Sequence, residues 1–155
     1  MVAHGRLVMS ARTIYSGKHI VISHCRDCDI PGYMIIALKR KILKLEELSS
    51  TESAELMKSL AFTEQALNTL FSPEKIYIMR ISELNHELHF HVFPRYASVT
   101  KLYLAEHSER IIDGPFFFSW TRKKFSSSQP EPTQEVLNAQ SILTETLKSY
   151  FSQSL

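Results

Sequence analysis

The sequence is poor in glycine and in cysteine, and each shortage excludes something. Four glycines, at positions 5, 17, 32 and 114 of 155 residues, cannot assemble either glycine-rich phosphate cradle, the Walker loop or the dinucleotide fingerprint. A G-x-S-x-G nucleophile elbow is also missing. A chain of this kind that handles phosphate must do so with side chains or with non-glycine turns. Only Cys25 and Cys28 are present, which is not the multi-bridge framework of a small secreted domain. Long apolar runs are absent too. The longest clean one, Tyr33 to Leu38, is far too short to span a bilayer, and Met1 to Tyr15 holds no continuous signal-peptide core. The chain therefore reads as cytoplasmic, with no membrane partner. Nor is one charge in excess: 18 Lys and Arg stand against 16 Asp and Glu. That balance excludes the dense basic footprint of a nonspecific nucleic-acid binder, and no nucleic acid is expected as a partner.

What is present is a core-forming composition, 44% hydrophobic and 22% charged, and a concentration of histidine. Three of the seven histidines, His86, His89 and His91, fall within six consecutive residues. Arg12 to Tyr15 and His19 to Ser23 read as two strands around Ser16-Gly17-Lys18. Tyr33 to Leu38 has the unbroken apolar character of a central strand buried on both faces. Ser49-Ser50-Thr51-Glu52 has capping-box spacing, and Leu56, Met57, Leu60, Leu67, Leu70 and Phe71 continue it as the stripe of a helix ending before Pro73. Lys75 to Ile81 and Leu88 to Tyr96 read as an antiparallel pair of strands joined through Ser82 to His86. A short helix is expected over Ser98 to Glu109, then an aromatic stretch from Pro115 to Trp120 and a linker-like segment from Ser126 to Pro132. A last amphipathic helix covers Thr133 to Phe151. The order predicts an α+β fold, an antiparallel sheet with helices on one side. It divides into a domain over 1–125 and a linker and C-terminal helix over 126–155 packed on that same domain.

On a strand, side chains alternate between faces, so Glu87, His89 and His91 are expected on one face and Leu88, Phe90 and Val92 on the other. Imidazoles and a carboxylate in one row are costly to bury without partners and suit the wall of a ligand cleft better than a packed interior. An exposed strand with incidental histidines is the plainer alternative. Three chemistries are open to such a row. A metal could be held by His-x-His with help from Cys25 and Cys28, although one Cys-x-x-Cys without a second spaced pair argues against zinc. Water could be activated by general acid–base work, or one imidazole could itself attack an electrophile. The residue pattern does not rank the last two. His86 falls one residue off the chemical face.

His89-Phe90-His91-Val92-Phe93-Pro94-Arg95 resembles the end of the histidine triad motif. Pro31-Gly32-Tyr33-Met34-Ile35-Ile36-Ala37-Leu38-Lys39-Arg40-Lys41 resembles that family's Pro-Gly-His strand ending in Pro-Lys-Arg-His, and Asp113-Gly114-Pro115 with Trp120 looks like a tail found in some bacterial members. The similarity spans about residues 12 to 96. It implies a five-stranded antiparallel, HIT-like sheet with one long helix on it and a C-terminal helix. It also implies a nucleotide hydrolase or nucleotidyl transferase acting at the α-phosphorus of nucleoside polyphosphates, phosphoramidates or adenylates through a nucleotidyl-histidine. The nucleophile's role then falls on His89 and the phosphate-binding third position on His91. Glu87 occupies the first triad position, where histidine is usual, as a substitute proton donor. The resemblance further implies a ribose contact from Asp27 or Asp29 and phosphate contacts from the turn at Ser82, and by their charge Lys39 and Arg95 could attract polyphosphate, the plainer alternative being solvent-facing strand-end residues. It carries an adenine nucleotide as substrate, a homodimer, and no metal or other cofactor. A nucleotide-binding or interaction protein with little turnover is the alternative on the same scaffold. Cys25 and Cys28 are expected as free thiols near the base pocket, and Phe116, Phe117, Phe118 and Trp120 as core or dimer packing.

Overall fold

Five short β-branched or alternating segments pair into one sheet in the computed structural model, which describes residues 11–154. They are β1 (Thr13–Ser16), β2 (Ile20–His24), β3 (Met34–Leu38), β4 (Lys75–Met79) and β5 (His89–Arg95). The spatial order is β1-β2-β3-β5-β4, and every neighbouring pair is antiparallel. The last strand in sequence is therefore interior. β5 lies between β3 and β4, with His89 opposite Ala37, and with His91 flanked by Ile35 on one side and Met79 on the other.

Four α-helices, α1 (Ser50–Phe71), α2 (Ala97–Glu106), α3 (Gly114–Lys124) and α4 (Gln134–Gln153), and a short 3-10 helix at Leu45–Glu47 accompany the sheet in the described residues. The start of α1 is the capping box read from the sequence. Ser49 Oγ accepts from the Glu52 N–H at 3.2 Å, and the Glu52 carboxylate accepts from the Ser49 N–H at 2.9 Å. This reciprocal pair satisfies two amides that a helix start leaves open. Glu52 is also gripped by Arg40 at 2.9 and 2.8 Å, and these bonds hold its carboxyl down at about 2. The Arg40 turn after β3 is thereby tied to the helix.

The two faces of the sheet carry separate cores. On one, Ile20, Ile22, Met34, Ile36 and Val92 pack against Leu56, Leu60 and Leu67 of α1 and Leu143 and Leu147 of α4. On the other, Tyr33 and Phe93 pack against Val99 and Tyr103 of α2 and Phe117 and Phe118 of α3. The expectation of helices on one side is corrected here: α2 and α3 cover the opposite face. The physical reason lies in the strands themselves, because Tyr33 next to Met34, and Phe93 next to Val92, point apolar side chains to both sides. The aromatic stretch is helical, within α3. Asp113 caps α3 by accepting from the Phe116 N–H at 2.9 Å, and Pro115 sits in the first turn, where its missing N–H costs nothing.

The turn into β3 depends on Gly32. Its φ is +82°, its N–H donates to His24 Nε2 at 3.1 Å, and a Cβ there would lie 2.9 Å from Leu67 Cδ2 and 3.1 Å from the Tyr96 hydroxyl. Gly32→Ala is accordingly expected to lower the unfolding free energy by about 1–3 kcal/mol, through left-handed strain and this crowding together. Urea denaturation measures it, and a loss below about 0.5 kcal/mol, the range of an ordinary surface change, would contradict the close packing.

Candidate functional site

Because β5 is interior and alternates, His89 and His91 stand side by side on one face, with ring centroids 5.1 Å apart. Both line a cavity of about 900 Å³, bounded by the β4–β5 turn on one side and α3 on the other. Asp27, Ser82, Phe118 and Arg122 line the same space. A volume of that order accommodates a nucleotide-sized ligand.

The two imidazoles are held by different partners. His89 Nδ1 is 2.7 Å from the backbone carbonyl of Glu87. A carbonyl only accepts, so Nδ1 carries the proton, and in the neutral ring Nε2 keeps its lone pair. His91 Nδ1 is 2.6 Å from the Tyr33 hydroxyl. A phenol is a much stronger acid than a neutral imidazole N–H, so Tyr33 donates, His91 Nδ1 accepts, and the proton of His91 sits on Nε2. Burial raises the Tyr33 pKa further and keeps its proton in place. One ring thus offers a lone pair and its neighbour an N–H.

Charge on His91 is disfavoured. Burial first, then the proximity of His89 and of Arg122, push its pKa down to about 4, with Asp27 opposing weakly. His91 is therefore a neutral hydrogen-bond donor at pH 7 and remains so well into the acid range. The Phe118 ring stands edge-on to His91 at 5.9 Å and to Tyr33 at 6.0 Å, sealing the inner wall.

The residues expected from the sequence are only partly gathered here. Glu87 does not share the face of the histidines, because β5 begins at His89 and Glu87 lies in the preceding bend. Its carboxylate pairs with Lys41 at 3.3 Å, outside the cavity lining, and what it gives His89 is its carbonyl. Asp27 lines the cavity and faces Arg122 at 3.5 Å. Asp29 does not line it, and its Oδ1 is buried without a hydrogen-bond partner. Ser82 lines the cavity from a left-handed backbone, φ +55°, at a position with no glycine to relieve the strain. Lys39 and Arg95 lie outside the lining. Lys39 Nζ donates to the Gly17 carbonyl, and Arg95 is bound by Glu74 at 3.5 Å and by the Tyr77 hydroxyl at 3.0 Å. His86 is exposed beside the Ser82 carbonyl.

Cys25 and Cys28 are unbridged and buried in the second core; burial raises both, Cys28 to about 12, so both are thiols. Among the described residues, no three or more His, Cys, Asp or Glu side chains are grouped as a metal ion would need. No described helix is long and apolar enough to cross a membrane.

Tyr33 and Arg122 were not singled out from sequence as site residues, and Phe118 was expected only as core or dimer packing. Tyr33 carried a usable signal, a phenol inside an otherwise apolar central strand. Arg122 did not, since a basic residue late in a helix is ordinarily solvated.

The buried neutral His91 makes stability pH-dependent in a defined direction. The unfolded chain takes up a proton below about 6.5, whereas the folded chain resists until about 4, so stability is full above the first value and is lost as pH falls towards the second. Buried His24, lowered chiefly by burial, acts with the same sign. Urea unfolding is expected to show His91 removing about 2 kcal/mol between pH 7 and pH 5, with a shallower slope in His91→Gln. Equal slopes in the two proteins would contradict it.

Known proteins resemble this chain in sequence and in fold. The HIT domain sequence model matches residues 6–98. An AP-4-A phosphorylase of Mycobacterium tuberculosis, found in strains H37Rv and CDC 1551, is 28% identical over 105 residues, covering 62% of this chain and 46% of the relative. The chain thus spans about half the length of the curated relatives it matches. Among solved structures, a histidine triad protein from Sinorhizobium meliloti superposes with a TM-score of 0.62 at 20% identity, covering 87% of this chain and 88% of the other. A hypothetical histidine triad nucleotide-binding protein from Sulfolobus tokodaii gives 0.58 at 15% identity over 89% and 84%. With the matched segment running from before β1 through β5, and the histidine strand at its end, the chain belongs to the HIT domain family.

Proposed function

We propose that this protein is a nucleotide hydrolase or nucleotidyl transferase that works at the α-phosphorus through a covalent intermediate on His89. The observation that carries the reading is the pairing of opposite ring nitrogens in one cavity, a lone pair on His89 and an N–H on His91, with the ring centroids 5.1 Å apart. His89 Nε2 attacks phosphorus and forms an N–P bond while the bond to the leaving group breaks, and the leaving group departs with that electron pair. The imidazole becomes cationic in this step, and the Glu87 carbonyl at Nδ1–H stabilises the charge. His91 Nε2–H donates to a nonbridging oxygen whose negative charge grows as the transition state forms. Water, which gives up a proton to solvent, or inorganic phosphate then attacks the same phosphorus, the N–P bond breaks, and His89 regains its lone pair.

HIT family membership supports a nucleotide as the substrate, and the AP-4-A in the relative's name supports an adenine nucleotide. In this reading Asp27 and Ser82 contact the bound nucleotide from the cavity wall, the working assembly is a homodimer, and the protein acts in the cytoplasm.

Incubation with an α-labelled adenosine polyphosphate, followed by rapid quenching, is expected to trap an acid-labile label on the protein. His89→Ala is expected to abolish the adduct and to lower turnover by about 1,000-fold or more. Nucleotide binding with neither adduct nor turnover in the wild-type protein would overturn catalysis in favour of a binding role.

A further inference from the structure

The segment after the HIT domain match supplies part of the cavity. Pro115, Phe118, Ser119 and Arg122 of α3 line it, at the i, i+3, i+4, i+7 spacing of a single helix face, and Lys123 lies at the same end. The three basic residues that end α3 are not equivalent. Lys124 pairs with Glu106 and is neutralised there. Lys123 is exposed and has no ion-pair partner among the described residues. Arg122 lies between two contacts, its Cζ 5.7 Å above the Phe118 ring and its Nη2 3.5 Å from Asp27 Oδ2. Phe118 is the ring that borders His91, so the guanidinium is fixed one side chain away from the histidine pair.

The charge balance of the cavity gives these cations a role. A neutral His91 offers a hydrogen bond and no full positive charge, so a chain of phosphates must find its counter-charge elsewhere in the wall. The basic lining residues are Arg80, Arg122 and Lys123, against the acidic Asp27 and Glu83. Arg80 is already committed by one N–H to the Leu43 carbonyl at 2.8 Å. The Arg122–Asp27 pair is long, and the aspartate side chain is 76% exposed. Such a pair holds little free energy and exchanges readily for a phosphate, which offers the guanidinium two parallel charge-assisted bonds. The cation–π contact with Phe118 keeps the guanidinium in place during the exchange.

We infer that Arg122 and Lys123 form a subsite for the anionic phosphate chain beyond the attacked phosphorus, which makes the preferred substrates nucleotides whose leaving group is a phosphate anion. The inference rests on the proposed function for its catalytic consequence, whereas binding of the anion itself does not depend on turnover. Arg122 would release Asp27 as the chain enters, freeing that carboxylate to accept hydrogen bonds from the nucleoside.

Inorganic tripolyphosphate titrated into the protein by calorimetry is the direct probe. Arg122→Gln combined with Lys123→Gln is expected to weaken its binding at least tenfold. Lys101→Gln combined with Lys148→Gln removes equal charge from exposed helix positions outside the cavity lining and is expected to change binding less than twofold. Lys123→Gln alone, at an exposed position that cannot disturb folding, is expected to weaken binding about threefold. In turnover assays, the preference for AP-4-A over adenosine phosphoramidate, whose leaving group is uncharged, should fall at least tenfold in the Arg122, Lys123 variant. Unaltered tripolyphosphate affinity in that variant, or an equal loss in the control, would overturn the subsite. If the wild-type protein turns over neither nucleotide yet binds tripolyphosphate through Arg122 and Lys123, the catalytic reading fails and the subsite stands.

Discussion

The hydrogen bond between the Tyr33 hydroxyl and His91 Nδ1 is the constraint on which the rest of the site depends. Both groups are buried and polar, and His91 Nδ1 without this partner would be left unsatisfied at a cost of about 1–3 kcal/mol. Paired, they satisfy each other and fix one tautomer. Their position follows from the sheet, because β5 runs interior to β4 and antiparallel to β3, which brings the start of β3 alongside the histidine face. Burial then does two things at once: it keeps the phenol protonated and the imidazole neutral. The donor aimed at the cavity is thus set by packing before any ligand arrives, the condition under which electrostatic stabilisation of a transition state is most effective.

The neighbouring histidine is oriented by backbone instead of side chain. The Glu87 carbonyl accepts a hydrogen bond from His89 Nδ1–H because the chain bends immediately before β5 and turns that carbonyl towards the ring. The opposite wall is built from α3, whose aromatic face closes the second core and whose last turn brings cations to the cavity mouth. Ser82, left-handed without glycine, is where the β4–β5 turn stores strain, and it does so on the cavity edge.

Much of this was legible in the sequence, and the parts that were not share one physical cause. The capping box at Ser49 and Glu52, the antiparallel pairing of the strands around Ser82 to His86, and the shared face of His89 and His91 are local patterns that depend on spacing alone. Glu87 broke the pattern because the pairing of β5 with β3 ends at His89, opposite Ala37, and the preceding Leu88 N–H donates to the Ile42 carbonyl instead. Lys39 and Arg95 were drawn away by groups distant in sequence, the Gly17 carbonyl for one, Glu74 and Tyr77 for the other. The covering of the second sheet face by α2 and α3 was implicit in the doubly apolar strand at Tyr33 to Leu38. Which later segment would cover it required the tertiary structure. The same is true of Arg122, whose neighbours Phe118 and Asp27 come from its own helix and from a loop far earlier in the chain.

Long-range proton–nitrogen correlation NMR of the ring nitrogens at pH 7, with His89 and His91 identified by substitution, tests the opposed tautomers most directly. The expected spectrum has His89 protonated on Nδ1 and His91 protonated on Nε2, with the His91 pattern collapsing to mixed tautomers in Tyr33→Phe. The same tautomer in both rings, or a His91 already charged at pH 7, would contradict it.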